Sequence, residues 1–289
     1  MAFTIKELES LSGIKAHTIR IWEQRYNFLK PLRTTTNIRK YNNEELKMLL
    51  TVALLNKYGY KISQIDEMPI DQRVSALLQL QEPEAKDHHL VNELIGFMID
   101  LKSTAFEEKL NWHINKNGLS ESINIIFQFL EKVGLLWQSN KVNPAQEHIA
   151  SNIIRQKIIS AIDQLPLQKD EPTVLLFLPE YEHHELGLLF VYYLFKKKGI
   201  ASVYLGANVP LKDLEYIVAV KPPKFLYTHL TSFPRQLHFE KFIQQLSVQS
   251  GKAQILISGT AVSTYTKALP SNIQILQSFL QVSTFIAGL

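Results

Sequence analysis

Beyond residue 172 the apolar residues come in short unbroken runs, TVLLFL, SVYL, KFLYT, QILIS and IQIL, with helically spaced segments between them. A short apolar run without alternation fits a strand covered on both faces. Strands that alternate with helices predict a parallel sheet sandwiched by helices. The connecting helices are expected from about Leu186, from Leu211, from about Pro234 and after IQIL. Between His88 and Leu165 the pattern changes to Leu, Ile and Phe at three- and four-residue spacing, which predicts helices over 90–101, 104–115, 120–137 and 144–165. Gly118 suits a helix stop and Pro144 a first turn, so four amphipathic helices with short connections predict a bundle. Up to Met68 the patterns are shorter and more polar. Thr4-Ile5-Lys6-Glu7 has the form of a capping box, Gly13 marks a turn and a second helix starts near Lys15, which together suggest a helix-turn-helix. An ordinary helical hairpin would read the same way on that segment alone. A polar stretch containing Pro83 predicts a linker over 71–87, and 166–172 is a second break. The expected modules are 1–70, 88–168 and 171–289, a multidomain α and α/β chain.

Charge sharpens this division. Residues 1–70 hold 11 Lys and Arg against 7 Asp and Glu, while the other 219 residues hold 20 of each. The whole net charge of +4 therefore sits in the first module, which suggests a small basic module attached to a neutral body. The chain contains no cysteine, which excludes disulfides, thiolate metal sensing and cysteine nucleophiles. The start lacks a basic segment followed by an apolar one, and the apolar run 186–195 ends at three lysines, too short to span a bilayer. A cytoplasmic protein is the expectation.

The head carries Arg20-Ile21-Trp22-Glu23, Pro31-Leu32-Arg33, Arg39-Lys40-Tyr41 and Gly59-Tyr60 in that order. Over about its first 68 residues the chain resembles the DNA-binding domain of MerR-type regulators. The resemblance implies a winged helix-turn-helix on a double-stranded DNA operator. Lys15, Ala16, His17, Thr18 and Arg20 would then reach base edges or nearby phosphates. Arg33, Arg39 and Lys40 on the wing would contact phosphates, which position a protein without reading sequence. Tyr41 closes this DNA-binding set, although it and Trp22 suit a small core better than stacking on bases.

In the bundle, Trp137 is followed ten positions later by Glu147-His148. By residue type alone these are a packed tryptophan at a helix end and a solvated pair at a helix start. The segment VGLLWQSNKVNPAQEHIASNIIRQKI nevertheless resembles the helical cap beside corrinoid-binding domains, and the spacing is similar to that of light-responsive MerR-type repressors of the CarA/CarH/LitR type. That resemblance implies that Trp137, Glu147 and His148 line the upper face of cobalamin. Some members of the class have a histidine directly after the tryptophan; this chain has Gln138 there.

The loop after TVLLFL contains Glu182-His183-His184-Glu185. A polar loop, or a hard-metal site completed by ligands from elsewhere, are both readings of these residues. Glu182-x-His184-x-x-Gly187 also resembles the Asp-x-His-x-x-Gly motif of methionine-synthase-type cobalamin domains, which have a flavodoxin-like fold. It implies that His184 is the lower cobalt ligand, that Glu182 fixes its tautomer, and that Gly187 leaves room for the displaced nucleotide tail. Thr228-His229-Leu230 and Gly259-Thr260 stand where the family has Ser-x-Leu and Gly-Gly, so Thr228, Leu230, Gly259 and Thr260 join the implied site. Glu182 replaces Asp, Thr228 replaces Ser, and Thr260 replaces a glycine, which could obstruct a close approach. The function implied is a repressor, without catalytic residues, whose homo-oligomeric state (dimer or tetramer) depends on adenosylcobalamin and hence on light. A corrinoid-dependent methyltransferase or carrier, and a cofactor-free regulator that binds a partner protein, remain the alternatives.

Overall fold

The computed structural model describes residues 2–138, 142–167, 173–233 and 238–289, without the side chain of Gln138. It divides into two compact units, Met1–Ile153 and Ile154–Leu289.

The first unit opens with α1 (Ile5–Ser12) and α2 (Ala16–Arg25), joined at Gly13, whose φ of +74° lets the chain reverse. The capping box is present, with Thr4 N donating to Glu7 Oε2 at 2.5 Å. A two-stranded antiparallel wing follows, β1 (Leu32–Arg33) and β2 (Arg39–Lys40). Then come α3 (Asn43–Lys57) and α4 (Ile62–Glu67). Ile19, Trp22, Tyr41, Leu46 and Leu49 bury the core of this head.

The linker expected over 71–87 is instead helical. Ile70–Gln79 forms α5, and α6 (Pro83–Ile99) begins at the proline that had suggested a break. Proline at a first helical turn loses no hydrogen bond and has a suitable φ, so Pro83 starts a helix here. Arg73 lies buried in α5, with Nη1 against Met48 Sδ at 2.7 Å and Nη2 donating to Asp66 O at 3.1 Å. The remaining helices of the bundle are α7 (Ser103–Asn117), α8 (Leu119–Gln138) and α9 (Pro144–Asp163). Here α3 packs on α6 and α1 on α8, so head and bundle share one unit. The division between units falls inside α9, before the break at 166–172, of which 168–172 lie outside the described residues.

In the second unit β3 (Val174–Pro179), α10 (Glu185–Lys197), β4 (Ser202–Val209), α11 (Leu211–Val220), β5 (Phe225–His229), α12 (Phe239–Gln249), β6 (Gln254–Ser258), β7 (Ile273–Leu276) and α13 (Phe279–Ala287) follow in order. All five strands pair in parallel in the order β4-β3-β5-β6-β7. Every residue of β3 is buried, as its unbroken apolar run required. Leu175, Phe177 and Leu226 face a core with α11 and α12, while Val174, Leu176 and Tyr227 face one with α10 and α13. The third connecting helix starts at Phe239; Pro234, its expected start, lies outside the described residues.

Candidate functional site

The strand order reverses between β3 and β5, and in open α/β sheets ligands bind at the carboxyl ends of the strands at such a switch point. The loop after β3 carries Glu182 to His184, Gly187 follows in the first turn of α10, and β5 ends in Thr228 and His229. The sheet therefore brings the two implied motifs to one edge.

Glu182 organises that edge. Its side chain is fully buried, and Oε1 accepts the backbone N–H groups of His183 and His184, both at 2.9 Å, and Nδ1 of the His184 ring at 2.5 Å. Oε2 accepts Ser232 N at 3.1 Å and Ser232 Oγ at 3.4 Å, which draws the loop after β5 onto the loop after β3. Burial pushes the Glu182 carboxyl up, but the hydrogen bonds from the His184 ring, the His184 backbone and the Ser232 backbone outweigh it and bring it down to about 2. An ionised Glu182 on Nδ1 selects the tautomer in which Nε2 carries the lone pair for a metal. The His184 side chain is 63% exposed, within reach of a ligand.

Gly259 has a φ of +111°, and a Cβ there would lie 2.1 Å from the Leu230 carbonyl oxygen. Only glycine tolerates that conformation and that proximity. Thr260, expected as an obstruction, is exposed and donates from Oγ1 to Thr231 O at 2.8 Å. Thr228 is fully buried, and among the described residues its Oγ1 has no hydrogen-bond partner. Leu230 is buried in the core with α11 and α12.

His229 and the two residues that hold it, Ser258 and Tyr227, escaped the motif reading. His229 sits at the unspecified position of Thr-x-Leu, and its ring lies against Gly187: a Cβ on Gly187 would fall 2.3 Å from His229 Nε2. His229 Nδ1 pairs with Ser258 Oγ at 2.9 Å, and Ser258 Oγ pairs with Tyr227 OH at 2.5 Å. Burial lowers the His229 pKa to about 4 against the pull of Glu182, so the ring is neutral at pH 7. Strand alternation could have signalled this. Tyr227 faces α10, so His229, two residues on, faces it too.

The expected upper-face residues lie in the first unit. Trp137 is 46% exposed near the end of α8. Glu147 and His148, in the first turns of α9, pair with each other, Oε2 to Nδ1 at 2.6 Å. Ser139, Asn140, Lys141 and the side chain of Gln138, within the same motif, lie outside the described residues.

In the head, Lys15, His17 and Arg20 are exposed at the start of α2, with Ala16 and Thr18 half-buried between them. Glu9 accepts Ala16 N at 3.1 Å and pairs with Lys15 at 3.1 Å. Glu23 ties α2 to the wing: it accepts Arg39 Nε at 2.7 Å, Arg33 Nη2 at 3.2 Å and Tyr41 OH at 3.1 Å. Tyr41 is fully buried, so it cannot stack on a base; it supports the wing from the core. Arg39 is largely enclosed, whereas Arg33 is open and Lys40 half-buried.

Comparison with known proteins now gives this arrangement a class. Residues 3–68 match the MerR HTH family regulatory protein, and residues 90–160 match the B12 binding domain. The chain thus joins a MerR-type helix-turn-helix region to a segment that matches a B12 binding domain. Among individual proteins, it is 26% identical over 251 residues to the HTH-type transcriptional repressor CarH of Myxococcus xanthus, covering 78% of this chain and 77% of that one. It is 28% identical over 229 residues to the HTH-type transcriptional repressor CarA of the same organism, covering 77% and 74%. The monomethylamine corrinoid protein of Methanosarcina barkeri shares its fold, with a TM-score of 0.55 at 14% identity over 70% of this chain and 100% of that one.

The residues present fit a corrinoid in part. The His184–Glu182 pair is suited to ligate cobalt, and the buried hydroxyl of Thr228, without a partner among the described residues, is a hydrogen-bonding group in reserve. The gap beside Gly187 does not fit a displaced nucleotide base while His229 occupies it.

Proposed function

We propose that this chain is a transcriptional repressor whose grip on its operator responds to bound cobalamin. The observation that carries the reading is the buried Glu182 holding Nδ1 of His184 at the switch point of a chain with a MerR-type head. His184 would hold the cobalt through Nε2, and Glu182 would keep that nitrogen basic. Trp137, Glu147 and His148 would be the bundle's contribution to holding the cofactor. Bound adenosylcobalamin supplies a cobalt–carbon bond that light can break. Arg33, Arg39 and Lys40 hold phosphates, while Lys15, Ala16, His17, Thr18 and Arg20 face the groove. The active species is a homo-oligomer, and a lower valency would cost avidity and release DNA. The protein acts by binding in the cytoplasm and turns over no substrate. The names of CarH and CarA, both repressors, support this reading.

The test is the absorption spectrum of the protein with adenosylcobalamin before and after green light, alongside operator retardation and sedimentation. Bound cobalamin with a histidine-ligated spectrum that is lost in His184→Ala is expected. Absence of bound cobalamin would refute the cofactor, and light-independent retardation would refute the light response alone.

A further inference from the structure

The slot next to His184 is filled by one of the chain's own side chains. A Cβ on Gly187 would fall 2.3 Å from Nε2, 2.4 Å from Cδ2 and 2.9 Å from Cε1 of His229, so the imidazole occupies the volume that the glycine leaves. The ring is held there from behind. Its Nδ1 bonds Ser258 Oγ, the residue paired with it across β5 and β6, and Ser258 is bonded in turn by the buried Tyr227 hydroxyl. Tyr227 and Ser258 are buried, so the bonds that hold the ring are shielded from water.

The consequence rests on the cobalamin reading. When a protein histidine takes the lower position on cobalt, cobalamin's own benzimidazole must leave it. That base stays tethered to the same face of the corrin and has to lodge beside the histidine. Gly187 lies one helical turn from His184 along α10, so its gap is the nearest place for it. With His229 seated, no aromatic base enters.

We propose that His229 is a specificity-determining gate. It makes the site take a corrinoid without a lower nucleotide base more readily than intact cobalamin, which has to unseat the ring and break its bond to Ser258.

The experiment titrates the full chain with aquacobalamin and with diaquacobinamide, a corrinoid without the base, by absorption and equilibrium dialysis. The parent is expected to bind cobinamide about tenfold or more tightly than cobalamin. His229→Gly should close that ratio by about tenfold, mainly by tightening cobalamin. Ser258→Ala, which releases Nδ1 without emptying the slot, should shift it the same way by less. Thermal melting establishes that each variant is folded, and His229→Ala replaces the glycine variant if that one is not. A ratio near one in the parent, or a ratio unchanged in the folded variants, overturns the gate while leaving the cofactor reading intact. If no variant binds either corrinoid, the cofactor reading falls and the gate with it.

Discussion

Five donors converge on the two oxygens of Glu182, which makes this buried carboxylate more than a support for one imidazole. An amide there keeps one accepting oxygen and turns an NH2 toward donors. Glu182→Gln should therefore cost about 2–3 kcal/mol in urea denaturation. It should also weaken corrinoid binding through His184 by roughly 10–100-fold. An unchanged urea midpoint would mean that other groups satisfy those donors. Lys132 is a residue held at a cost. Burial, with Lys57 adding repulsion, lowers its pKa from 10.5 to about 8, and its Nζ donates to Asn92 Oδ1 at 2.8 Å. Because the folded pKa is depressed, the unfolded chain binds more protons between pH 8 and 10.5, and stability rises with pH across that window. Below it the folded state bears the full cost. Lys132→Met should stabilise the protein at pH 7, by about 1–3 kcal/mol, and abolish the alkaline rise. A variant whose stability still climbs above pH 8 would assign the rise to another group. At this scale His184 and Glu182 were legible because a motif spacing carries them. His229 was not, since a motif leaves its intermediate position open and only the strand register shows what that side chain covers.

Among the elements, the wing depends on a single carboxylate. Arg33, Arg39 and Tyr41 all donate to Glu23, which lies on α2, so the contacts that orient the wing come from the helix expected in the groove. Glu23→Gln should free Arg33 and Arg39 from a charged partner and loosen the wing, weakening binding to every DNA sequence alike. The slope of log affinity against log salt should stay close to that of the parent, because no cation is removed. Arg39→Ala removes one and should flatten the slope by up to about 0.9. Equal slopes for Arg39→Ala and parent would make Arg39 purely a clamp on Glu23. The central strands β3, β5 and β6 were readable because they bury nearly every residue on both faces and so have no polar alternation to confuse the pattern. Helix α5 was not, because it is short, carries Arg73 on its buried side and leaves Ile70, Val74 and Leu78 exposed. Its apolar residues are split between the buried side, where Leu77 lies with Arg73, and the exposed side, and a proline that opens the next helix resembles one that breaks a chain.

For the molecule as a whole, the helical 71–87 segment changes how a signal can reach DNA. A flexible linker would let the sensor act only by assembling heads. Here α3 of the head packs on α6 of the bundle, the Lys47 stem lies 3.5 Å from a Cβ placed on Gly96, and its ammonium pairs with Asp100. A change in the bundle is then carried into the head by direct packing, and the two should unfold together. The three tryptophans allow this to be measured, since Trp22 belongs to the head and Trp112 and Trp137 to the bundle. Proteins that retain Trp22 alone or Trp112 alone should give coincident melting curves by fluorescence, as a single cooperative unit requires. Asp100→Asn keeps a hydrogen-bonding side chain but removes the charge facing Lys47, and it should lower both curves by the same amount. It should do so by only a few degrees, because the apolar contacts between α3 and α6 remain. Curves that separate in the parent would show that the head melts independently of the bundle. Curves that separate only in Asp100→Asn would show that the Lys47–Asp100 pair makes the coupling.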